Sequence, residues 1–191
     1  MNEPNLRQFV FNGLLLQDSL ETLEKEGISV RKSGDLAPVS RVVEADFSPR
    51  IWHDANNLAS VYQAIFCIEN TLRSFIVERM SERYGLNWWE EKVSSGIKRD
   101  VTKLKEKEAK NKFFTSRSDS EIGYTMMGNL GQIVIDNWAD FSDIIPNQAW
   151  LNSRMQDLEM ARNIVMHTGV LPQDEIERIT SIVRDILRQI G

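Results

Sequence analysis

The stretch DANNLASVYQAIFCIENTLRSFIVERMSERY, residues 54–84, decides the fold class of this chain. Its 31 residues include neither glycine nor proline, so nothing in it breaks a helix. Apolar side chains recur there at steps of three and four, beginning with Leu58, Val61 and Ile65. This spacing predicts one long amphipathic helix that ends at Gly85.

Similar apolar stripes predict further helices on both sides of this stretch. Four of these helices cover residues 6–26, 122–141, 148–168 and 173–190. A fifth carries an apolar stripe formed by Trp89, Val93, Ile97, Val101 and Leu104. Residues 28–49 instead carry turn signals, which predict a connector with room for a short strand. The chain is therefore predicted to be mostly α-helical, and its length of 191 residues favours one main domain.

Composition excludes several classes of protein. One cysteine cannot form an internal disulfide, and together with two histidines it cannot supply the four ligands of a usual Cys/His zinc site. No apolar stretch approaches the ~20 residues of a membrane span, and no secretory signal is readable at the N-terminus. We therefore expect a cytoplasmic protein with no metal, no other cofactor and no membrane association. Cys67 lies in an apolar stretch, which predicts a buried and unreactive thiol.

Charge is unevenly distributed along the chain. Residues 92–117 hold nine basic and three acidic residues, a net charge of +6, whereas the rest of the chain carries −11. Such a window can bind an RNA backbone, with its contacts at Lys98, Arg99, Lys103 and Lys105. The alternation of Lys and Glu in it also suits a solvated helix stabilised by ion pairs. The sequence leaves both interpretations open.

The segment ARNIVMHTG, residues 161–169, combines a fixed cation with an acid–base group. Asn163 and His167 are four residues apart and share a helix face, while the long side chain of Arg162 can reach the same helix end before Gly169. A histidine can take a proton from a ribose 2′-hydroxyl or give one to the leaving oxygen, and a guanidinium can neutralise phosphoryl oxygens. The trio suits metal-independent RNA cleavage, although the Arg-x-x-x-x-His spacing alone is a weak signal.

This segment resembles the Arg-x-x-x-x-His motif of the HEPN superfamily, the higher eukaryotes and prokaryotes nucleotide-binding domains. The resemblance extends to VYQAIFCIENTLR (residues 61–73), YGLNWW (residues 84–89) and IDNWADF (residues 135–141). These motifs look like one HEPN branch that also occurs fused to a PIN-type endonuclease. Because the resemblance covers roughly residues 54–191, it implies a HEPN-like bundle there. Residues 1–53 lie outside the resemblance and hold the N-terminal helix and connector that the apolar spacing and turn signals predict.

The resemblance implies an all-α, up-and-down bundle of four to five helices, and the apolar spacing before it adds an N-terminal helical extension. It also implies a homodimer in which two copies of the motif form a composite ribonuclease site that leaves a 2′,3′-cyclic phosphate. In that site Arg162 would hold the scissile phosphate, His167 would be the general acid and base, and Asn163 would position one of them. Glu69 and Arg73 are four residues apart on the long helix, so they are expected to support the site as an ion pair or to bridge elements structurally.

The resemblance thus implies a metal-independent endoribonuclease that acts on RNA as a toxin or anti-phage defence effector, with an antitoxin or defence-system protein as its partner. The alternative is a non-catalytic HEPN module that binds RNA, a nucleotide or a protein. A small helical adaptor in which the motif is accidental fits the ordered motifs least. We interpret Trp88, Trp89 and Trp138 as core residues rather than base-stacking platforms, and His53 as a helix-entry residue rather than a catalyst.

Overall fold

The computed structural model of the chain describes residues 46–111, 113 and 115–191. Within it, residues Phe47–Gly191 form one compact unit. The predicted N-terminal helix over residues 6–26 and the connector as far as residue 45 lie outside the described residues. The division of the chain between residues 53 and 54 therefore stays a prediction.

The described part of the chain contains helices and no strand, which confirms the predicted all-α fold. Its α-helices are α1 (Pro49–Tyr84), α2 (Trp88–Lys92), α3 (Ser95–Ala109), α4 (Met127–Asp136), α5 (Gln148–Met166) and α6 (Gln173–Ile190). Short 3₁₀ turns lie at Gly85–Asn87, Glu121–Tyr124 and Trp138–Asp140. None of the helices in this part is long and apolar enough to span a membrane.

Helix α1 is the longest of these elements, with 36 residues and a length of about 54 Å. It begins earlier than predicted, at Pro49, because the Ser48 hydroxyl accepts a hydrogen bond from the Ile51 N–H and proline fits the first helical turn. It ends at Gly85 as predicted, where a φ of 69° lies in the left-handed region. The serine and proline that suggested a turn therefore act as a helix start.

One face of α1 forms the centre of the hydrophobic core. Its buried apolar side chains are Val61, Ile65, Ile68, Leu72, Ile76 and Met80. Helices α4, α5 and α6 pack on α1, α4 also packs on α5, and α5 packs on α6. Trp88 and Trp89 are buried and Trp138 packs against the core, which confirms their interpretation as core residues. The result is the helical bundle that the HEPN resemblance implies.

The apolar stripe that starts at Trp89 forms two helices rather than the single predicted one. Val93 is extended, with φ −92° and ψ 135°, and separates α2 from α3. The serines and Gly96 that follow are weak helix formers. The Asn137 side chain donates to the carbonyl of Lys92 at 3.1 Å, which satisfies a backbone group at the end of α2. The stripe nevertheless stays buried across the break.

The predicted helix over residues 122–141 is shortened to α4, with a 3₁₀ turn on each side. At its start the Asn129 side chain accepts from the Met126 N–H at 3.0 Å. At its end the Asn137 amide donates to the Ile133 carbonyl at 2.8 Å. Side-chain bonds to the backbone thus set both ends of this helix.

Cys67 is exposed, so the prediction of a buried thiol is wrong. Its apolar neighbours Ile65 and Ile68 belong to the buried face of α1, whereas Phe66 and Cys67 lie between them on the solvent side. A short apolar run on a helix covers more than one face, so neighbours in sequence do not share burial.

A buried carboxylate fixes the end of α1. Asp140 is 6% exposed and accepts hydrogen bonds from Arg83 Nη1 and from the Tyr84 hydroxyl, both at 2.8 Å. Arg79 donates to the Asp140 carbonyl at 2.8 Å and also pairs with Asp143. These contacts tie the last turns of α1 to the segment that precedes α5.

Candidate active site

Arg162, Asn163 and His167 lie at the C-terminal end of α5, where a defined capping motif closes the helix. His167 follows the last helical residue and has φ −100° and ψ 20°, so the helix is no longer regular there. The Thr168 N–H donates to the Val165 carbonyl at 3.1 Å, and the Gly169 N–H donates to the Ile164 carbonyl at 2.8 Å. This pair of bonds is a Schellman motif, which fixes the backbone on both sides of the histidine.

The left-handed position of this cap is taken by Thr168, with a φ of 59°. A β-branched residue is strained there, because its Cβ approaches the backbone. Gly169, the predicted helix stop, lies one residue further on, and a Cβ added to it would meet Ile164 Cγ2 at 2.7 Å. Glycine therefore serves close packing at this end, while the threonine carries the backbone turn.

Arg162 is held by a carboxylate from the neighbouring helix. Its Nε lies 3.6 Å from Oε2 of Glu69 on α1, and its side chain is 24% exposed. The other oxygen of Glu69 accepts from Nη2 of Arg73, which forms the expected ion pair. Glu69 itself is 8% exposed. One buried carboxylate thus lies between two arginines and connects the predicted ion pair with the motif arginine.

Arg73 also fixes the backbone of the segment before α4. Its Nε donates to the Ile122 carbonyl at 3.2 Å, Nη2 to the Thr125 carbonyl at 2.8 Å, and Nη1 to the Asn70 side chain at 3.0 Å. Together with Glu69, four acceptors surround one guanidinium. Of the two roles that the sequence left open for the pair, Arg73 bridges elements structurally, whereas Glu69 contacts the motif.

An open cleft of about 530 Å³ lies beside Arg162. Its charged lining residues are Glu69, Arg73, Glu108, Arg117 and Arg162, and its exposed apolar ones are Tyr62, Phe66, Met126 and Met166. Asn163 and His167 are exposed at the end of α5 and do not line this cleft. The structure therefore brings Glu69, Arg73 and Arg162 together in one cleft, and places the other two predicted site residues on open surface.

Most of the predicted RNA contacts on α3 are engaged in ion pairs. Three of the four have an acidic partner: Lys98 with Glu90 (3.1 Å), Lys103 with Asp100 (3.7 Å) and Lys105 with Glu121 (2.7 Å). The hydrogen bond from Lys105 holds the pKa of the Glu121 carboxyl below its ordinary value. Arg99 is exposed and forms no ion pair within the described residues. The pairs favour a solvated helix, and an RNA contact on α3 stays a prediction.

Arg117 lines the cleft, although no motif in the sequence selects it. Its Nε donates to Oε1 of Glu108 at 2.5 Å, and its backbone N–H donates to Oε2 at 3.2 Å. Burial opposes ionisation of Glu108, but these hydrogen bonds outweigh it and keep the pKa of the carboxyl below its ordinary value. In the sequence the residue stands out only as the last cation of the basic window.

The arrangement offers one acid–base group and one anion-binding group at the same helix end. The imidazole of His167 is exposed and can accept or donate a proton. The terminal nitrogens of Arg162 make no hydrogen bond within the described residues. In the same part of the chain, no three His, Cys, Asp or Glu side chains are grouped so that they could hold a metal ion. The site can therefore transfer a proton and bind an anion such as a phosphate.

A protein family matches most of this compact unit. The family model described as Swt1-like HEPN covers residues 63–191, more than half of the chain, and includes Glu69, Arg73 and the Arg162 to His167 motif. No curated protein and no solved structure matches the chain. On the extent of this match, the chain belongs to the Swt1-like HEPN family.

Proposed function

We propose that the chain is an endoribonuclease that cleaves RNA without a metal ion, through Arg162, Asn163 and His167. HEPN domains are often ribonucleases. The observation that carries the proposal is the geometry of Arg162, whose Nε is anchored at Glu69 while its terminal nitrogens make no hydrogen bond within the described residues. Such a guanidinium edge binds a phosphate well.

The proposed reaction is a transesterification within the RNA strand. His167 takes the proton of a ribose 2′-hydroxyl, the 2′-oxygen attacks the phosphorus, and the bond from phosphorus to the 5′-oxygen breaks. A proton delivered to that oxygen completes a 5′-hydroxyl, and the other product carries a 2′,3′-cyclic phosphate. Arg162 neutralises the charge on the phosphoryl oxygens, and Asn163 orients the phosphate or the imidazole.

A homodimer with a composite site belongs to the same proposal. One imidazole cannot act as base and as acid in the same step, whereas two copies of the motif supply both. The surface around the motif supports this, because large apolar side chains are exposed there: Met160 (66%), Ile164 (36%), Met166 (47%) and Val170 (57%). Exposed apolar surface of this kind is typical of protein–protein interfaces.

We also propose that the chain is a toxin or anti-phage effector in the cytoplasm, restrained by an antitoxin or defence-system protein. The openness of the site supports this, since Asn163 and His167 are exposed and make no hydrogen bond through their side chains within the described residues. A ribonuclease site with this accessibility would degrade the RNA of its own host unless a partner covered it. We further propose that the chain is related to the HEPN branch that also occurs fused to a PIN-type endonuclease.

RNA cleavage in the presence of EDTA tests the proposed chemistry. Wild type, Arg162→Ala and His167→Ala are incubated with total RNA and with tRNA, and the fragment ends are examined. We expect cyclic phosphate ends from wild type and a loss of at least ~100-fold in both variants. Arg184→Ala is the matched control, since this arginine on α6 is exposed and does not line the cleft.

The outcomes separate the two candidate functions. Equal cleavage by all four proteins would show that the activity comes from a contaminant or another site. Binding of RNA without cleavage by wild type would favour the non-catalytic HEPN module.

The dimer is tested by Met160→Glu, which places a charge on the motif surface. We expect the mass measured by light scattering to fall to that of one chain, and activity to fall with it. Leu86→Glu is the control, because Leu86 is 95% exposed in the 3₁₀ turn after α1, outside the motif surface. An unchanged mass for Met160→Glu would contradict this interface.

A further inference from the structure

Two arginines of the cleft each face a carboxylate with their Nε, Arg117 through a hydrogen bond and Arg162 through a longer ion-pair contact. Arg162 meets the Glu69 carboxylate through its Nε, and Arg117 meets the Glu108 carboxylate through its Nε. In both arginines the terminal nitrogens make no hydrogen bond to any described residue. Both line the same cleft, with exposed fractions of 24% for Arg162 and 44% for Arg117. Each guanidinium therefore offers a fixed and uncommitted edge to a ligand in this cleft.

The position of Arg117 is determined by the fold. Its backbone N–H also binds Glu108, and its guanidinium carbon lies 5.4 Å from the ring centre of the buried Tyr124. The next residue, Ser118, packs so closely on Gly123 that a Cβ added there would lie 2.2 Å from the Ser118 Cβ. The absence of a side chain at Gly123 thus lets this segment approach the cleft and holds Arg117 at its edge.

The cleft continues past Arg117 into a second groove of about 390 Å³, here called the side groove. The two spaces share Asn70, Arg73, Arg117 and Gly123. Three serines, Ser74, Ser118 and Ser120, also line the side groove. Cleft and side groove together follow α1 from Tyr62 to Glu78, a distance of about 24 Å. That length accommodates roughly four to seven nucleotides of one strand.

We infer that Arg117 binds a phosphate that flanks the scissile one, and that the substrate is a single strand of RNA several nucleotides long. The inference rests on the proposed function, in which Arg162 holds the scissile phosphate. The flanking nucleotides lie in the side groove, where hydroxyl and amide groups can pair with riboses and base edges. Arg117 positions the strand and takes no part in proton transfer.

Substrate length provides the test. A dinucleoside monophosphate has one phosphodiester, whereas a hexanucleotide also has flanking ones. For Arg117→Ala we expect unchanged kcat/KM on the dinucleoside monophosphate and a loss of about 10- to 100-fold on the hexanucleotide, the value of a charge-assisted hydrogen bond. Arg162→Ala should lose activity on both substrates, and Arg184→Ala on neither.

A binding measurement tests Arg117 independently of cleavage. A hexanucleotide of 2′-O-methyl RNA cannot be cut, because it has no 2′-hydroxyl to attack the phosphorus. For Arg117→Ala we expect weaker binding and a salt dependence, the slope of log K against log salt concentration, that is smaller by about 0.7 than in wild type. Arg117→Lys keeps the charge but lacks the paired donors of a guanidinium. It should therefore restore the salt dependence of wild type but not its full affinity.

The results distinguish this inference from the proposed function. If wild type cleaves in a His167-dependent manner but Arg117→Ala behaves like Arg184→Ala, the inference is wrong and the ribonuclease stands. An equal loss on both substrate lengths would also overturn it, since it would place Arg117 at the scissile phosphate or in a general electrostatic role. If wild type neither cleaves RNA nor binds the 2′-O-methyl strand, the proposed function is wrong and the inference with it.

Discussion

Replacing Glu69 by glutamine removes the negative charge that Arg73 and Arg162 share and keeps the shape of the side chain. The carboxylate is 8% exposed, binds Arg73 directly and lies 3.6 Å from Arg162 Nε. Glutamine still offers one acceptor oxygen, so the contact with Arg73 weakens rather than disappears. The two guanidinium charges, however, then lose the anion between them.

The expected loss of stability in Glu69→Gln depends on how exposed Arg73 and Arg162 are. Hydrogen bonds to charged groups contribute about 1.5–3 kcal/mol, and we assign about half of this to the charge lost at Arg73. The contact with Arg162 is longer and partly exposed, so it contributes about 0.5–1 kcal/mol. Removing one partner of a buried ion group is destabilising. We therefore expect Glu69→Gln to lower the free energy of unfolding by about 1–2.5 kcal/mol.

Urea unfolding and RNA cleavage measure the two effects of Glu69→Gln. We expect a lower urea midpoint with an unchanged m-value, and a kcat/KM reduced by about 10-fold or more, because Arg162 loses its anchor. The matched control is Glu82→Gln, since Glu82 is exposed on the same helix, lines neither the cleft nor the side groove and forms no ion pair with any described residue. A Glu69→Gln protein with the stability and activity of Glu82→Gln would refute the reasoning.

Three further changes test other parts of the structure. Thr168→Gly relieves the left-handed backbone at the end of α5 and should raise the free energy of unfolding by about 0.5–1 kcal/mol in urea; a loss of stability would contradict the strain. Asp140→Ala removes a buried carboxylate that binds the partly exposed Arg83 and Tyr84 and should cost about 1–3 kcal/mol, whereas the exposed Asp136→Ala should cost little. The pKa of Glu121 is lowered by Lys105, so the stability of this pair is present above the ordinary value of 4.5 and is lost below it. Between about pH 5 and pH 3, the free energy of unfolding should therefore fall less in Glu121→Gln than in wild type. The same fall in both proteins would contradict a stabilising pair between Lys105 and Glu121.

The helices that could be predicted from sequence are those with an uninterrupted apolar repeat. Helix α6 has the predicted bounds, residues 173–190, and α5 begins as predicted at residue 148. Boundaries that depend on a side chain from elsewhere could not be predicted. Asn137 ends α4 and also binds the last residue of α2, a contact that exists only after the two elements have packed together.

The candidate site could be predicted as far as its residues are neighbours on one helix. The motif at the end of α5 and the Glu69–Arg73 pair on α1 are of this kind. The contact between Glu69 and Arg162 could not be predicted, because it depends on how α1 packs against α5. Arg117 could not be assigned to the site from sequence for the same reason, since neither its contact with Glu108 nor the cleft exists before the chain folds.

The four acceptors around Arg73 determine which substitutions this site can tolerate. A lysine would keep the charge, but its three donors radiate from a single nitrogen and cannot reach two backbone carbonyls, a carboxylate and an amide at once. Since the same guanidinium holds the cleft wall and the carboxylate that anchors Arg162, these parts cannot change one at a time. Mutational drift can therefore alter the rim of the cleft residue by residue, whereas replacing Arg73 requires compensating changes at several positions together.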